Sequence, residues 1–341
     1  MQAQGWFNRV WYRHSPPPLW LMPLSFAYGA GAAARRSMYR RGWLQAVHLP
    51  CPVVIVGNLT VGGTGKTPLV GWLAARLAAA GRRPGIVARG YRSMAGGPRL
   101  VAASDDASVV GDEPLLLARR TGLPVAIGRA RPAAARRLID GGCDVIVSDD
   151  GLQHYALRRD CEILVVDGER RFGNGWLLPA GPLRESAARC RSVDALVVNG
   201  GAASAGEWPM RLEAHSAVAL RGGAAVPLHE FQGLAVHAIA GIGNPQRFFR
   251  MLRDRGIEVT AHAHDDHARY TAADIRFADG KPVLMTEKDA VKCASWADER
   301  HWAVPVDAEF AEDAAQALVG IVMQRIAAAA RQQGEGEVQS G

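Results

Sequence analysis

The stretch VVIVGNLTVGGTGKTPLVGWLAARL, residues 53–77, combines a buried strand, a glycine-rich loop and a helix in that order. Gly62, Gly63 and Gly65 let backbone N–H groups close around phosphate oxygens, and the following helix points its positive end at them. Lys66 can then reach the β- and γ-phosphates of a nucleotide, and Thr67 can place its hydroxyl on Mg²⁺. The residues predicted to contact the nucleotide are Thr60, Val61, Gly62, Gly63, Thr64, Gly65, Lys66 and Thr67.

One position of this loop departs from the general pattern GxxxxGK[ST], because Thr60 stands where the first glycine belongs. A glycine-rich turn that happens to contain GKT is the alternative interpretation. The order of strand, loop and helix favours nucleotide binding. Pro68 is compatible with it, since an N–H group in the first turn of a helix has no helical partner to lose.

A second strand ends in two carboxylates. The run CDVIVSDDGLQH, residues 143–154, places Asp149 and Asp150 at the carboxyl end of a strand, the edge where open α/β sheets bind ligands. Successive strand residues point to opposite faces, so we expect one aspartate to hold Mg²⁺ directly or through water and the other to support the loop or the acceptor. The alternative is a helix N-cap followed by a turn, which DDG also satisfies.

Two further segments offer acid–base groups. Asp112, in VVGDEPLLLARR, precedes an apolar helical stripe, where it is either an N-cap or a base that orients an acceptor. Asp266 and His267 lie in HAHDDHARYT, and a histidine beside carboxylates can accept a hydroxyl proton at neutral pH. Zinc binding by His262, His264 and His267 is a competing interpretation, for which the sequence offers no fourth ligand.

Basic and apolar residues cluster near the same segments. ARGYRS contributes Arg89, Tyr91 and Arg92, and VVDGERRFGNGWLLPAGPLRE contributes Arg170, Arg171 and Arg184 with Phe172, Trp176, Leu177 and Leu178. This mixture suits a phosphorylated, lipid-bearing molecule, whereas a nucleic-acid groove would carry a denser Lys/Arg stripe with recurrent aromatic residues. We therefore expect no nucleic-acid partner.

The composition of the chain limits the classes of protein to which it can belong. It has 341 residues, of which 48% are hydrophobic and 21% charged, with a net charge of +7. These values exclude a disordered, collagen-like or polytopic membrane protein and leave room for roughly two domains. The positive excess favours an anionic partner. The five cysteines are scattered without a CxxC pair, which fits a reducing cytoplasm.

The amino-terminal segment contains an uncharged run, residues 15–34, flanked by arginines. Its prolines at positions 16, 17, 18 and 23 predict a continuous helix only from near Leu24, too short for a membrane span. We expect a monotopic anchor whose arginines meet anionic headgroups. The side chains expected at the membrane interface are Trp6, Phe7, Trp11, Tyr12, Trp20 and Phe26. The alternatives are a helix packed on the protein's own core and a secretory signal peptide, against which the following arginines argue.

Short β-branched runs alternate with helical stretches after Pro50, which predicts an α/β fold with a parallel sheet flanked by helices. The first set has strands at 53–56, 85–88, 145–148, 163–167 and 195–199 and helices at 69–80, 113–120 and 131–141. The second, smaller set has strands at 235–240, 257–261, 283–286 and 302–306 and helices at 245–255, from 271, and at 311–330. A glycine-rich stretch at 200–206 is a candidate linker.

The predicted organisation has four parts. They are a membrane-associating segment (1–48), a P-loop core domain (49–222), a smaller α/β domain (223–330) and a disordered tail (331–341).

Eight motifs follow one another along the chain. They are GNLTVGGTGKTP (57–68), ARGYRS (88–93), GDEP (111–114), SDDGLQH (148–154), DGERRFGNGWLLPAGPLRE (167–185), AGIGNPQRFF (240–249), DDHARYT (265–271) and TEKDAVK (286–292). In this order they closely resemble the tetraacyldisaccharide 4'-kinases of lipid A biosynthesis. The resemblance implies transfer of the γ-phosphoryl of ATP to the 4'-hydroxyl of tetraacyldisaccharide 1-phosphate, giving the 4'-phosphorylated lipid A precursor, with ATP and Mg²⁺ as cofactors. It also implies a P-loop core and a smaller carboxyl-terminal domain, with the nucleotide site at the cleft between them.

The resemblance also implies roles for single residues. Lys66 and Thr67 would bind phosphates and Mg²⁺, while Asp149 and Asp150 would support the metal and catalysis. Thr60 is no departure within the family, which tolerates Ser or Thr there. The acceptor is expected to contact Asn58, Arg89, Tyr91, Arg92, Gln153, His154 and Arg171.

A second implied feature is a carboxylate–imidazole pair that activates the sugar hydroxyl. It would consist of Asp112 from GDEP and His267 from DDHARYT. The family's motif usually carries a second histidine, where this chain has Ala268. If that second histidine were the catalytic one, the assignment to His267 would fail.

The family works on the cytoplasmic face of the Gram-negative inner membrane, because a substrate with four acyl chains stays in the bilayer. The resemblance thus implies a peripheral or monotopic protein whose partners are the lipid-linked disaccharide and the membrane surface, and we expect a monomer. A membrane-bound P-loop ATPase or GTPase switch without a sugar acceptor is the main rival, although such switches often carry an additional lysine early in the loop. A non-enzymatic basic scaffold would leave GGTGKT without a purpose.

Overall fold

The structure, a computed structural model, describes residues 2–12, 16–90, 96–266 and 268–338. The chain forms two compact units, which we call unit 1 (Met1–Arg211 with Ala308–Gly341) and unit 2 (Leu212–Asp307). Unit 1 is therefore discontinuous in sequence.

The elements of the two units have the following bounds. The strands are β1 (Val53–Gly57), β2 (Pro84–Ala88), β3 (Arg99–Val101), β4 (Val125–Ile127), β5 (Val145–Asp149), β6 (Cys161–Asp167), β7 (Ala195–Asn199), β8 (Trp208–Glu213), β9 (Ser216–Ala219), β10 (Ala225–Pro227), β11 (Ala235–Ala240), β12 (Glu258–Ala263), β13 (Val283–Thr286), β14 (His301–Val304) and β15 (Asp307–Glu309). The α-helices are α1 (Gln2–Tyr12), α2 (Leu21–Arg40), α3 (Lys66–Ala79), α4 (Ala107–Val110), α5 (Asp112–Thr121), α6 (Arg131–Asp140), α7 (Pro245–Asp254), α8 (Ala272–Ile275), α9 (Glu287–Cys293) and α10 (Glu312–Val338).

A nine-stranded sheet with the order β15-β8-β7-β6-β1-β5-β2-β4-β3 organises unit 1. From β8 to β4 the neighbouring strands run parallel, and β3 is antiparallel to β4. Every residue of β1, β2 and β5 is buried, as expected for parallel strands covered on both faces. The predicted α/β fold with a P-loop core is thereby confirmed.

The sheet order places the two predicted ligand-binding segments side by side. β1 lies between β5 and β6, and Val56 near the end of β1 is paired with Asp149 at the end of β5. Because these strands are parallel, the loop after β1 and the carboxylates after β5 emerge at the same edge.

Helix α2, in the amino-terminal segment, is longer than predicted. α2 begins at Leu21 rather than near Leu24, with Pro23 in its first turn. The first N–H groups of a helix have no intrahelical partner, so a proline there removes no hydrogen bond. Among the described residues, none of the helices combines the length and apolarity that a membrane span requires.

Unit 2 contains a six-stranded sheet with the order β10-β9-β14-β13-β11-β12. The strands β14, β13, β11 and β12 are parallel, and β9 is antiparallel to both β14 and β10. Helix α7 buries Phe248, Phe249 and Leu252 in the core of this unit. The helix predicted from residue 271 is α8, which begins with a capping box in which Thr271 and Asp274 are bonded reciprocally.

The division into units differs from the predicted boundaries. The glycine-rich stretch 200–206 lies within unit 1, and the boundary falls after Arg211, inside β8. Helix α10, predicted as part of the second domain, belongs to unit 1, where Phe310 just before it packs on Trp72 of α3. This helix continues to Val338, into the segment predicted to be disordered. The sequence has no local signal for this arrangement, in which residues 308–341 rejoin unit 1 after unit 2.

Candidate active site

The loop after β1 has the backbone of a phosphate cradle. Gly62 and Gly65 have φ values of 115° and 90°, which side chains with a Cβ rarely adopt. Gly65 is the N-cap of α3, so the chain turns directly from a left-handed residue into the helix. Asn199, at the end of β7, donates from its Nδ2 to the Thr64 carbonyl over 3.0 Å and so attaches the loop to the sheet. The amide groups at the start of α3 are thus available to an anion.

The predicted phosphate and metal residues meet at this edge of the sheet. Thr67 Oγ1 donates to Asp149 Oδ2 over 3.2 Å, and Lys66 Nζ lies 3.7 Å from Asp150 Oδ1. The two aspartates therefore face the two consecutive residues that begin α3, one each.

Asp149 is a buried carboxyl group with an open coordination position. Only 4% of the residue is exposed, and its Oδ1 has no hydrogen-bond partner among the described residues. Burial, followed by the negative charge of Glu113, raises the pKa of Asp149 to about 7. A buried carboxylate oxygen without a partner is costly unless a cation occupies the position beside it.

Asp150 is ionised, because it lies beside the positive charges of Lys66 and Arg184. It follows β5 in a left-handed conformation, with φ of 50°, which turns its side chain away from that of Asp149. Both terminal nitrogens of Arg184 donate to its carboxylate over 3.0 Å. Burial alone would raise the pKa of Asp150, but the charges of Lys66 and Arg184 outweigh it and hold the pKa well below its ordinary value.

Two arginines complete the site, and sequence reasoning missed the function of both. Arg184 also donates to Asn58 Oδ1 and to the Thr60 carbonyl, so one guanidinium joins the P-loop to Asp150. Arg131, at the start of α6, is 3% exposed and donates to the Asp149 carbonyl over 2.9 Å. Burial lowers the pKa of Arg131 to about 10, which still leaves it charged at neutral pH. The sequence carries no local signal for these roles, because an arginine is ordinarily exposed and its burial depends on the tertiary structure.

The segment after the carboxylates contributes an uncharged imidazole. Gln153 Nε2 donates to the Asn58 carbonyl over 3.2 Å. Burial, followed by the positive charge of Arg131, lowers the pKa of His154 to about 4. His154 Nε2 is buried and has no partner among the described residues. Two of the predicted acceptor-binding residues, Asn58 and Gln153, are therefore in contact, and His154 is neutral at physiological pH.

The other predicted site residues have different surroundings. Asp112 is the first residue of α5, and the N-cap is Gly111, so the N-cap interpretation of Asp112 is wrong. Arg89 is exposed just after β2, and Arg171 pairs with both carboxylate oxygens of Glu207 over 3.1 and 2.7 Å. The predicted residues Tyr91, Arg92 and His267 lie outside the described residues.

The residues considered for zinc have other contacts. His262 Nε2 lies 2.9 Å from His237 Nδ1, and the ring of His264 packs edge-on against Tyr270. The described members of the proposed triad are thus engaged by different neighbours.

The amino-terminal helices hold the same loops. Side chains of α1 and α2 donate to backbone carbonyls of the P-loop and of the segments around it. These bonds are Trp11 to Pro179, Tyr12 to Val61, Ser25 to Leu177, Tyr28 to Arg184 and Arg35 to Gln153. The same region exposes Leu19, Trp20, Leu24 and Phe26 by 53 to 80%. The amino-terminal helices therefore pack on the protein's own core and also expose an apolar surface, so these two features do not exclude each other.

Known proteins are similar to this sequence over most of its length. A family model described as "Tetraacyldisaccharide-1-P 4'-kinase" matches residues 18–324. A tetraacyldisaccharide 4'-kinase of Xanthomonas euvesicatoria pv. vesicatoria is 53% identical over 312 residues, which cover 88% of this chain and 90% of the relative. A tetraacyldisaccharide 4'-kinase of Stenotrophomonas maltophilia is 52% identical over 309 residues, covering 88% and 91%.

A solved structure agrees with these matches. It is titled as an "apo" form of LpxK from Aquifex aeolicus in complex with ATP, and it covers 89% of this chain and 98% of its own. The TM-score is 0.74 at 28% sequence identity. The matched region includes the P-loop, the paired aspartates and both arginines that hold them, and the resemblance drawn from the eight motifs is confirmed. The chain belongs to the tetraacyldisaccharide-1-P 4'-kinase family.

Proposed function

We propose that this protein transfers the γ-phosphoryl group of ATP to the 4'-hydroxyl of tetraacyldisaccharide 1-phosphate, which yields the 4'-phosphorylated precursor of lipid A. The observation that carries the proposal is the pairing of Thr67 Oγ1 with Asp149 Oδ2 at the base of the P-loop. In P-loop enzymes this hydroxyl and a strand-end carboxylate act together at the metal of the nucleotide. The relatives that match the chain carry the same activity in their name.

The residues at the base of the loop fit Mg²⁺. Within the part of the chain that the structure describes, the buried Asp149 Oδ1 has no hydrogen-bond partner, and the Thr67 hydroxyl lies beside the same carboxylate. Oxygen ligands of this kind, completed by phosphate and water, are those that Mg²⁺ prefers. We assign Asp149 and Thr67 to the metal, which when bound neutralises charge on the β- and γ-phosphates. The role of Asp150 differs from that of Asp149, because Arg184 binds both oxygens of Asp150 and positions it beside Lys66.

The reaction breaks the bond between the γ-phosphorus and the bridging oxygen and forms a bond from that phosphorus to the 4'-oxygen, releasing ADP. Lys66 and the amide groups of the loop stabilise the charge on the transferred group. The 4'-hydroxyl proton passes to His267, which Asp112 orients. This pair rests on the GDEP and DDHARYT motifs.

The acceptor sugar is bound by residues around the same edge. We propose Asn58, Gln153 and His154 for its hydroxyl groups and Arg89, Tyr91 and Arg92 for its polar and charged parts. A neutral His154, whose buried Nε2 has no partner in the described ranges, suits a hydrogen bond to a hydroxyl. Arg171 would have to leave Glu207 before it could bind the acceptor.

The membrane surface is the second proposed partner. Leu19, Trp20, Leu24 and Phe26 expose apolar area that water does not favour. The same helix ends in arginines, which suit anionic headgroups. We propose that this surface lies on the cytoplasmic face of the inner membrane, where the acylated acceptor is found.

The test is transfer of labelled γ-phosphate from Mg-ATP to tetraacyldisaccharide 1-phosphate in detergent micelles. We expect transfer by the intact chain and none by Lys66→Ala, whereas the matched variant Lys281→Ala, whose lysine lies in unit 2 beside Asp279, keeps the activity. Nucleotide hydrolysis without any transfer would instead support the membrane-bound switch.

Two further variants examine the finer assignments. His267→Ala should lower turnover more than ATP affinity, and an unchanged rate would eliminate the proposed pair with Asp112. Replacing Trp20 and Phe26 by serine should weaken flotation with anionic vesicles. Leu100→Ser is the control, because it removes an exposed leucine of β3 that is far from the helix in sequence. Undiminished flotation would show that another surface holds the membrane.

A further inference from the structure

The loop between β5 and β6, residues 150–160, begins with Asp150 and carries Gln153 and His154. The structure describes all of it, and it consists mainly of turns. A segment of this kind depends on side chains for much of its shape, because turns lack the regular hydrogen-bond ladder of a helix or a sheet. Whatever fixes the β5–β6 loop therefore also fixes two of the side chains proposed to bind the acceptor.

The guanidinium of Arg159, near the end of this loop, folds back onto the loop's own backbone. Nη1 donates to the Leu152 carbonyl over 2.9 Å, and Nη2 donates to the His154 carbonyl over 2.6 Å. Nη2 and Nε both donate to the Leu157 carbonyl, over 3.1 and 3.2 Å. A further bond runs from Nη1 to Glu162 Oε1 of β6 over 3.1 Å. These contacts match the five N–H donors that a guanidinium carries.

The Arg159 side chain is itself held in place. It is only 14% exposed, and the Glu162 carboxylate that pairs with it belongs to a central strand of the sheet in unit 1. The ring of Tyr155 lies 5.0 Å from the guanidinium carbon, within the range of a cation–π contact. The Tyr155 hydroxyl donates to Glu185 Oε2 over 2.7 Å. Arg159 is thus a fixed point of the sheet to which the loop backbone is attached.

The side chains of the loop present polar atoms that other described residues do not satisfy. Gln153 Oε1 and His154 Nε2 are both buried and have no hydrogen-bond partner within the described ranges. Buried polar atoms in native proteins nearly always have a partner, so these two atoms indicate a position for a bound group. Burial, followed by the positive charges of Arg131 and Arg159, lowers the pKa of His154 to about 4. The group that binds here therefore meets an uncharged imidazole beside an amide oxygen.

We propose that Arg159 is a positioning residue, which holds the β5–β6 loop in the shape that presents Gln153 and His154 to the hydroxyl groups of the acceptor sugar. This inference rests on the acceptor-binding function proposed above for those two residues. Arg159 acts through the backbone, because its donors end on the carbonyls of the loop. A lysine keeps the charge but offers its donors from a single nitrogen, so it cannot span the same three carbonyls.

The proposal predicts weaker acceptor binding with the nucleotide site intact. In the micelle transfer assay, Arg159→Lys should raise the KM for tetraacyldisaccharide 1-phosphate by roughly tenfold, about the effect of one lost hydrogen bond, and leave kcat and the KM for ATP within about threefold. His154→Ala and Gln153→Ala should raise the same KM. Glu162→Gln, which weakens the attachment of Arg159 to β6, should cause a smaller rise and serves as a second, milder variant.

Arg189→Met is the matched control. Arg189 donates to both oxygens of the same Glu162 over 2.5 Å, and its other bonds go to Ser192 rather than to the β5–β6 loop. This variant should therefore lower the melting temperature and leave the KM for the acceptor unchanged. A rise in that KM for Arg189→Met equal to the rise for Arg159→Lys would overturn the proposal and assign Arg159 to the stability of unit 1.

A double-mutant cycle separates the possible results. If Arg159 acts through His154, combining Arg159→Lys with His154→Ala should raise the acceptor KM by less than the product of the two single effects. Effects that multiply in full, or an unchanged KM for Arg159→Lys while the His154 and Gln153 variants are impaired, would refute the positioning function alone. Unchanged acceptor kinetics in both His154→Ala and Gln153→Ala would refute the proposed acceptor contacts, and this inference with them.

Discussion

The buried carboxyl group of Asp149 should make the unliganded protein less stable as pH rises. Its pKa is 3.8 in an unfolded chain and about 7 in the native structure. For a pKa raised on folding, the stabilising contribution is fully present below the unfolded value and is lost as pH rises through the native value. At about 1.36 kcal/mol per pKa unit, the full loss is roughly 4 kcal/mol.

Asp149→Asn removes this dependence on pH, because the amide does not ionise. Between pH 5.5 and pH 8.5 the unfolded carboxyl is ionised throughout while the native one becomes ionised, so about 2 kcal/mol of the loss falls in this window. We therefore expect the free energy of unfolding of Asp149→Asn, relative to that of the wild type, to increase by about 2 kcal/mol from pH 5.5 to pH 8.5. The variant should be inactive at both pH values.

Urea unfolding followed by circular dichroism, with EDTA and without nucleotide, measures this difference. Asp106→Asn is the matched control, because hydrogen bonds from Ser108 hold the pKa of Asp106 below its ordinary value and its carboxyl stays ionised in both states over this window. Its stability relative to the wild type should therefore differ by the same amount at both pH values. A stability difference for Asp149→Asn that does not change with pH would refute the assignment of a raised pKa to burial.

Two other predictions concern the supports of the site, and a third concerns a buried ion pair of unit 1. Gly65→Ala should weaken ATP binding by roughly tenfold or more in a titration, since the residue has φ of 90° and a Cβ would overlap the amide that holds the loop; unchanged affinity would contradict this. Arg184→Lys should raise the KM for ATP, because a lysine cannot bind both oxygens of Asp150 and Lys66 would pair with that carboxylate instead; an unchanged KM would count against it. Arg189→Met should lower the free energy of unfolding by about 1–3 kcal/mol, because Glu162 loses the partner that binds both its oxygens over 2.5 Å and keeps Arg159, which lies 3.1 Å from Oε1. Adding Glu162→Gln should recover part of that loss in the same unfolding assay.

Local chemistry made much of the site predictable. The P-loop follows from glycines, a lysine and a threonine that are close in sequence, and the two aspartates follow directly after an apolar run. Parallel strands bring such segments to one edge, so the sequence predicts that the aspartate pair lies beside the P-loop, whereas the contact of Thr67 with Asp149 in particular is a result of the structure. The N-cap interpretation of Asp112 failed because Gly111, with φ of 92°, ends the preceding turn and takes that position.

The partners of the aspartates could not be predicted in the same way. Arg131 lies 18 residues before Asp149 and Arg184 lies 34 residues after Asp150, and neither distance carries a periodic signal. The contact of Lys288 in α9 with Asp266 is similar, since the two residues are 22 positions apart. Contacts of this kind depend on how loops meet in space.

The sequence by itself determined the class of fold, the nucleotide loop and the family, because glycine conformations, apolar strands and ordered motifs are local properties of the chain. Only the tertiary structure decided how the adjacent carboxyl groups of Asp149 and Asp150 differ. One is buried near Glu113 with an oxygen left open, and the other is held by Lys66 and Arg184, so their pKa values move in opposite directions. The physical reason is that desolvation and charge–charge interactions depend on neighbours in space, which side-chain identity alone does not specify.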